Sequence, residues 1–229
     1  MPTPLSNFYL FSYNTLQALG WALSLYAVIS SFASTASLNK AYAYSGNLVC
    51  LLQTVSGLEV LHGAIGLVPS GFLFPLMQWG GRTHFALAIL RKIVEAEIHK
   101  VQEIPAAFIT FFAWSLGEVI RYSHYALNSV STSPYWLTYL RYTAFIILYP
   151  IGMALGEMWL MYQALPLIKE KNLYADFFSG LPFSYYTFVK ASQYNALYFW
   201  AKTYYPLRKS RKSKARAIRS TKEIKTSKE

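Results

Sequence analysis

Apolar side chains run along this chain in long unbroken stretches, not in the one-in-three spacing of a helix with one face in water. Residues 8–32 hold no charge and have aromatics near both ends, where a membrane interface favours them. Similar stretches follow at 48–68, 72–90, 104–127, 136–162 and 183–205. About 20 apolar residues cross a hydrocarbon core. The pattern therefore predicts an all-α, integral membrane bundle of about six transmembrane helices over residues 1–206. Between the stretches lie a small, polar segment at 33–47 read as a loop and a turn at Pro69-Ser70-Gly71. Residues 91–103 read as a charged helical connector and 128–134 as a polar turn. Pro166 and residues 169–176 are predicted to end the fifth helix.

Composition agrees with this. Of 229 residues 54% are hydrophobic and only 14% charged, where a soluble domain carries about 25%. The net charge of +11 is uneven: residues 207–229 hold ten Lys and Arg against Glu223 and Glu229. Such a run directly after an apolar stretch reads as a disordered cytoplasmic tail beside a membrane, not as a nucleic-acid-binding face. An even number of spans then puts both termini in the cytoplasm. The first charged side chain is Lys40, so a basic leader preceding an apolar core is not expected. Cys50 is the single cysteine, which excludes an intrachain disulfide.

Among the ten acids only Glu59, Glu118 and Glu157 fall inside apolar stretches. His62, Gln78, Arg82, Arg121, Arg141, Tyr149 and Lys190 accompany them. A charge at the bilayer centre costs ~2.5–3.5 kcal/mol on insertion scales, and lipid offers no partner. These groups are therefore predicted to face inward around a polar cavity, with membrane lipid outside. Glu118 and Arg121, at i and i+3, read equally well as a structural ion pair, and Glu59 with His62 as a core pair. Arg82 and Arg141 can instead reach to an interface. The histidines at 62, 84, 99 and 124 have no metal-ligand spacing. There is neither a glycine-rich phosphate loop nor a G-x-S-x-G elbow. No metal or cofactor is predicted.

Tyr149 and Glu157 share the fifth stretch with Pro150 between them. Eight residues of α-helix turn ~800°, leaving the two ~80° apart around the axis and ~12 Å apart along it. Pro150 removes a backbone donor, and a π-bulge would absorb the extra residue and swing Glu157 towards the Tyr149 face. The pair then reads as acid and base. A structural reading stays open beside it, with Tyr149 one of nineteen tyrosines and Glu157 a partner for Arg82 or Arg121.

The run WSLGEVIRYSHYAL (114–127), followed by LRYTAFIILYPIG (140–152), a glutamate and YQALP (162–166), resembles the 3-hydroxyacyl-CoA dehydratase family, also called protein tyrosine phosphatase-like. The likeness extends to LLQTVSGLEVLHGAIGLVPS (51–70), Gln78 and Arg82, and covers roughly residues 48–170. It implies a six-span protein of the endoplasmic reticulum membrane. The implied reaction is the third step of very-long-chain fatty acid elongation, in which a (3R)-3-hydroxyacyl-CoA loses water to give a trans-2-enoyl-CoA. The family's catalytic tyrosine, in its Y-P-x-G motif, is here Tyr149, and its catalytic glutamate is Glu157. Arg82, Gln78, Glu118, Arg121 and Glu59 become supporting residues, and Arg141 and the basic tail candidates for contact with the anionic CoA. The implied partners are the acyl-CoA and the other enzymes of the elongation cycle.

Two departures qualify the resemblance. The family places its glutamate seven residues after the tyrosine, and here the distance is eight. Gly81 stands where a serine usually precedes the arginine. The extra residue gives the alternative reading: an impaired member that serves the elongase complex as a scaffold or regulator. Phosphatase chemistry is not implied, because Gly63 and Pro69 occupy the positions a thiolate and a phosphate-binding arginine would need.

Overall fold

The computed structural model describes residues 3–92 and 105–194, together with Ser213. The expected connector from 93 onward and, apart from Ser213, the basic tail lie outside the described residues. Every regular element among the described residues is helical. They are α1 (Pro4–Thr35), a 3-10 turn (Leu38–Lys40), α2 (Ala41–Val55), α3 (Leu58–Ala64) and α4 (Leu73–Thr83). Helix α4 runs on into a π-helical segment (His84–Arg91). Then come α5 (Pro105–Val130), α6 (Tyr135–Pro150), a second π-helical segment (Ile151–Met158), α7 (Trp159–Glu170) and α8 (Ala175–Phe178). Residues 185–194 form α9.

Helix α1 starts where Thr3 accepts the amide of Ser6 at 3.2 Å, with Pro4 in the first turn. It stops at Ala36, whose left-handed backbone (φ 51°) lets its amide bond the Phe32 carbonyl. Of its seven buried positions, the six after Tyr13 (Asn14, Gln17, Trp21, Ser24, Val28 and Ser31) are spaced alternately by three and four residues. Four of these six side chains are polar, while Leu16, Leu19, Leu23 and Ile29 point outward and exposed. In water that polarity is inverted and costly. In lipid it is the stable arrangement, because small and polar residues let helices approach and hydrogen-bond. Ser24 bonds Ser115 of α5 at 2.9 Å across this seam.

Helix α5 is the axis of the molecule and packs against α1, α2, α6 and the second π segment. At that last contact Gly152 and Gly156 face Ala113 and Thr110. A Cβ on Gly156 would run into the Thr110 side chain and come within 3.1 Å of the Thr110 backbone. The two elements touch backbone to backbone because the residue there is glycine.

Among the described residues, two helices, Pro4–Thr35 and Tyr135–Glu170, are long and apolar enough to cross a membrane. Some expected boundaries move. The segment 33–47 is not a loop throughout, since α2 begins at Ala41. The stretch 48–68 is broken at Ser56-Gly57, where the Ser56 hydroxyl bonds the Gln53 carbonyl at 2.7 Å. Pro166 does not end its helix but lies inside α7, which runs to Glu170. The single donor it removes is tolerated inside an apolar bundle.

The glycine contact predicts an asymmetry. Gly156→Ala lowers stability by about 1–3 kcal/mol through overpacking. Gly180→Ala, with open space around it, changes little. Thermal unfolding of the two variants in detergent is the check.

Candidate active site

Helix α5 presents Trp114, Glu118, Arg121 and Tyr122 at i, i+4, i+7 and i+8, one face of a 3.6-residue helix. Glu118 is buried and accepts from two arginines, Arg82 of α4 and the Nε of Arg121 at 2.5 Å. Arg121 in turn forks onto both oxygens of Glu59 in α3, at 2.6 and 2.8 Å. Tyr122 donates its hydroxyl to the same Glu59. Charges therefore alternate along a chain, Arg82–Glu118–Arg121–Glu59, joining α3, α4 and α5. Two cations and two anions cancel there, the condition under which a low-dielectric interior accepts them.

Arg82 ends this chain with its guanidinium 4.0 Å from the centre of the Trp114 ring. The indole Nε1–H of Trp114 donates to Glu157 at 2.7 Å. Glu157 lies in the second π segment, so the Gly152–Gly156 contact with α5 brings its carboxyl to the indole. Tyr149 is partly buried near the end of α6, lies tilted against Phe145 with ring centres 4.9 Å apart, and is within electrostatic range of Glu157. The π segment begins at Ile151, directly after Pro150. One residue is taken up in a widened turn, so the eight-residue step covers the rotation of seven α-helical residues. That is ~700°, or ~20° short of two full turns. The arrangement places a carboxyl and a phenol along one continuous helix, with the Trp114 indole against the carboxyl.

A cavity of about 20 Å³ lies on the other side of Arg82, with Gln53, Ser56, Glu59, Gln78 and Arg121 among its lining residues. It has room for about one water molecule. Gln53 is buried there, its carbonyl oxygen unpartnered among the described residues.

The residues expected from the sequence thus divide into groups. Glu59, Arg82, Glu118 and Arg121 form one network, and Gln78 borders its cavity from an exposed position. Glu118 and Arg121 pair as expected, but the structure corrects Glu59 with His62: His62 bonds the Tyr9 hydroxyl at 2.8 Å, and Glu59 belongs to Arg121. Arg141 stands apart on α6, donating to the Tyr125 hydroxyl at 3.1 Å. Lys190 is exposed on α9 rather than inward. Trp114, Tyr122 and Gln53 were not singled out, although the helical spacing of Trp114 and Tyr122 about Glu118 carried the signal.

A family profile described as "Protein tyrosine phosphatase-like protein, PTPLA" matches residues 53–217. The chain belongs to this family of helical membrane proteins. It is 32% identical over 192 residues to "Very-long-chain (3R)-3-hydroxyacyl-CoA dehydratase 2" of Homo sapiens, covering 81% of this chain and 72% of that one. It is 36% identical over 168 residues to "Very-long-chain (3R)-3-hydroxyacyl-CoA dehydratase PASTICCINO 2" of Arabidopsis thaliana, covering 73% of each. The dehydratase hpo-8 of Caenorhabditis elegans is likewise 36% identical, over 72% of this chain and 73% of that one. No solved structure matches.

Arg121→Ala leaves Glu118 with Arg82 but strands Glu59, and is expected to cost about 3–5 kcal/mol. Lys190→Ala is expected to stay within about 0.5 kcal/mol of wild type. Unfolding midpoints in detergent read both.

Proposed function

We propose that this protein is a very-long-chain (3R)-3-hydroxyacyl-CoA dehydratase, a hydro-lyase that gives trans-2-enoyl-CoA, with Tyr149 and Glu157 as its acid–base pair. The observation that carries the reading is the π segment Ile151–Met158, which spans the one extra residue between the two groups. The chain's likeness to proteins of that name supports the substrate class.

The reaction breaks the Cα–H and Cβ–O bonds and forms a C=C bond. A base takes the α proton, an acid delivers a proton to the departing hydroxyl, and water leaves. A phenol and a carboxyl on one helix face supply both transfers. Either assignment of base and acid balances the reaction. The thioester oxygen gathers negative charge as the α proton departs, and a fixed positive group or hydrogen-bond donor lowers that barrier. Arg82 is held near Glu157 by Glu118 and Trp114 and suits this electrostatic role.

The same reading puts the enzyme in the endoplasmic reticulum membrane as a six-span protein, both termini cytoplasmic, beside the other enzymes of the elongation cycle. The acyl chain would lie among the apolar helices, and CoA near the basic cytoplasmic side where Arg141 and the tail contribute. The inverted polarity of α1 supports the membrane setting, and the concentration of Lys and Arg in residues 207–229 supports that orientation. In a regular helix the extra residue favours the scaffold reading, and the π segment supports the enzyme reading instead.

The reading is tested with purified protein in detergent and a long-chain 3-hydroxyacyl-CoA. Tyr149→Phe and Glu157→Gln are each expected to lower kcat by about 10²–10⁴-fold. Either variant turning over like wild type would remove that residue from the chemistry. A folded wild type with no turnover would overturn the enzyme reading.

A further inference from the structure

Glu157 has two carboxyl oxygens, and the structure treats them differently. Its Oε1 accepts the Trp114 indole N–H at 2.7 Å. Its Oε2 takes no hydrogen-bond partner among the described residues. Arg82, the nearby cation, is committed to Glu118 and sits over the Trp114 ring, 4.0 Å from its centre. Trp114 thus presents an edge to the carboxyl and a face to the guanidinium. The ring itself is buried and held by Phe85, which packs against it edge-on at 5.6 Å. The close contact of Gly152 and Gly156 with α5 holds this register.

We propose that Trp114 is a positioning residue for the dehydration: by fixing Oε1 it aims Oε2 of Glu157 at the substrate. This rests on Glu157 being a reacting group. An indole suits the task because it donates one hydrogen bond and accepts none. It orients the carboxyl without competing for its proton. Its breadth also fills the space beside Arg82, so the carboxyl is held by a neutral donor instead of being drawn into an ion pair.

The test removes the donor and keeps the ring. Trp114→Phe retains an aromatic face for Arg82 and loses the N–H. Replacing Trp114 with 3-benzothienylalanine, in which sulfur stands for the indole N–H, keeps the shape almost unchanged. Phe85→Leu loosens the packing around Trp114 and keeps the donor. All three are assayed for kcat and KM on a long-chain 3-hydroxyacyl-CoA, with unfolding midpoints measured in parallel.

Loss of one hydrogen bond to a charged or reacting carboxyl should lower kcat by about 10- to 100-fold. KM should stay within about twofold, because substrate binding is not what the bond serves. That outcome is expected for both donor-free variants, whereas Phe85→Leu should lose stability while keeping most of its kcat. Wild-type kcat in the benzothienyl protein would overturn the inference, as would equal losses of kcat in it and in Phe85→Leu. If Glu157→Gln is dead and the benzothienyl protein is fully active, only the role of Trp114 fails. If Glu157→Gln is fully active, the acid–base reading itself fails.

Discussion

Four charges held among apolar helices, Glu118 buried and the other three partly so, must cancel one another, and the molecule is arranged around that requirement. Arg82, Glu118, Arg121 and Glu59 come from α4, α5, α5 and α3: Glu118 and Arg121 pair within α5, and Arg82 and Glu59 tie α4 and α3 to that pair. Removing any partner leaves an uncompensated charge in a low dielectric. The network therefore fixes how α3 and α4 lie against α5. It also uses Arg82 for Glu118, and so leaves Glu157 to the Trp114 indole. A structural constraint thereby sets the surroundings of the acid that the proposed chemistry needs.

The second constraint is helical phase. A carboxyl and a phenol eight residues apart in a regular α-helix look in directions ~80° apart. Pro150 weakens the hydrogen-bond ladder at the point where the turn widens, and the π segment follows at once. Gly152 and Gly156 lie within the widened segment and bring it against α5. Insertion, proline and glycines act together: one supplies the extra residue, one loosens the ladder, and the last two let the loosened segment pack closely. π-Bulges of this kind recur at functional sites because they re-aim side chains without ending the helix.

Much of this was legible in the residues. Polar groups inside apolar stretches announced a polar interior, and the eight-residue step across Pro150 announced the bulge that the π segment supplies. Partner choice was not legible. Glu59 and His62 share a helix face, yet Glu59 pairs with Arg121 from 62 residues away, because pairing is decided by how α3 crosses α5. Trp114 was passed over because a tryptophan in an apolar stretch reads as packing, and its donor role exists only once Glu157 is brought against it. Pro166 misled for the opposite reason: proline penalties come from helices in water, and a bundle in lipid has every incentive to keep its backbone helical.

The central claim is that the π segment restores a seven-residue geometry to an eight-residue spacing. Deleting Ala154, an exposed residue inside the segment, should turn it into regular α-helix with Tyr149 and the glutamate still on one face. Inserting one alanine after Ala154 should throw the glutamate a further ~100° around the axis. Dehydration of a long-chain 3-hydroxyacyl-CoA by the two purified proteins is the direct measurement. The account predicts that the deletion variant keeps turnover within about tenfold of wild type and that the insertion variant loses it. A folded deletion variant without activity, or an insertion variant with full activity, would contradict it.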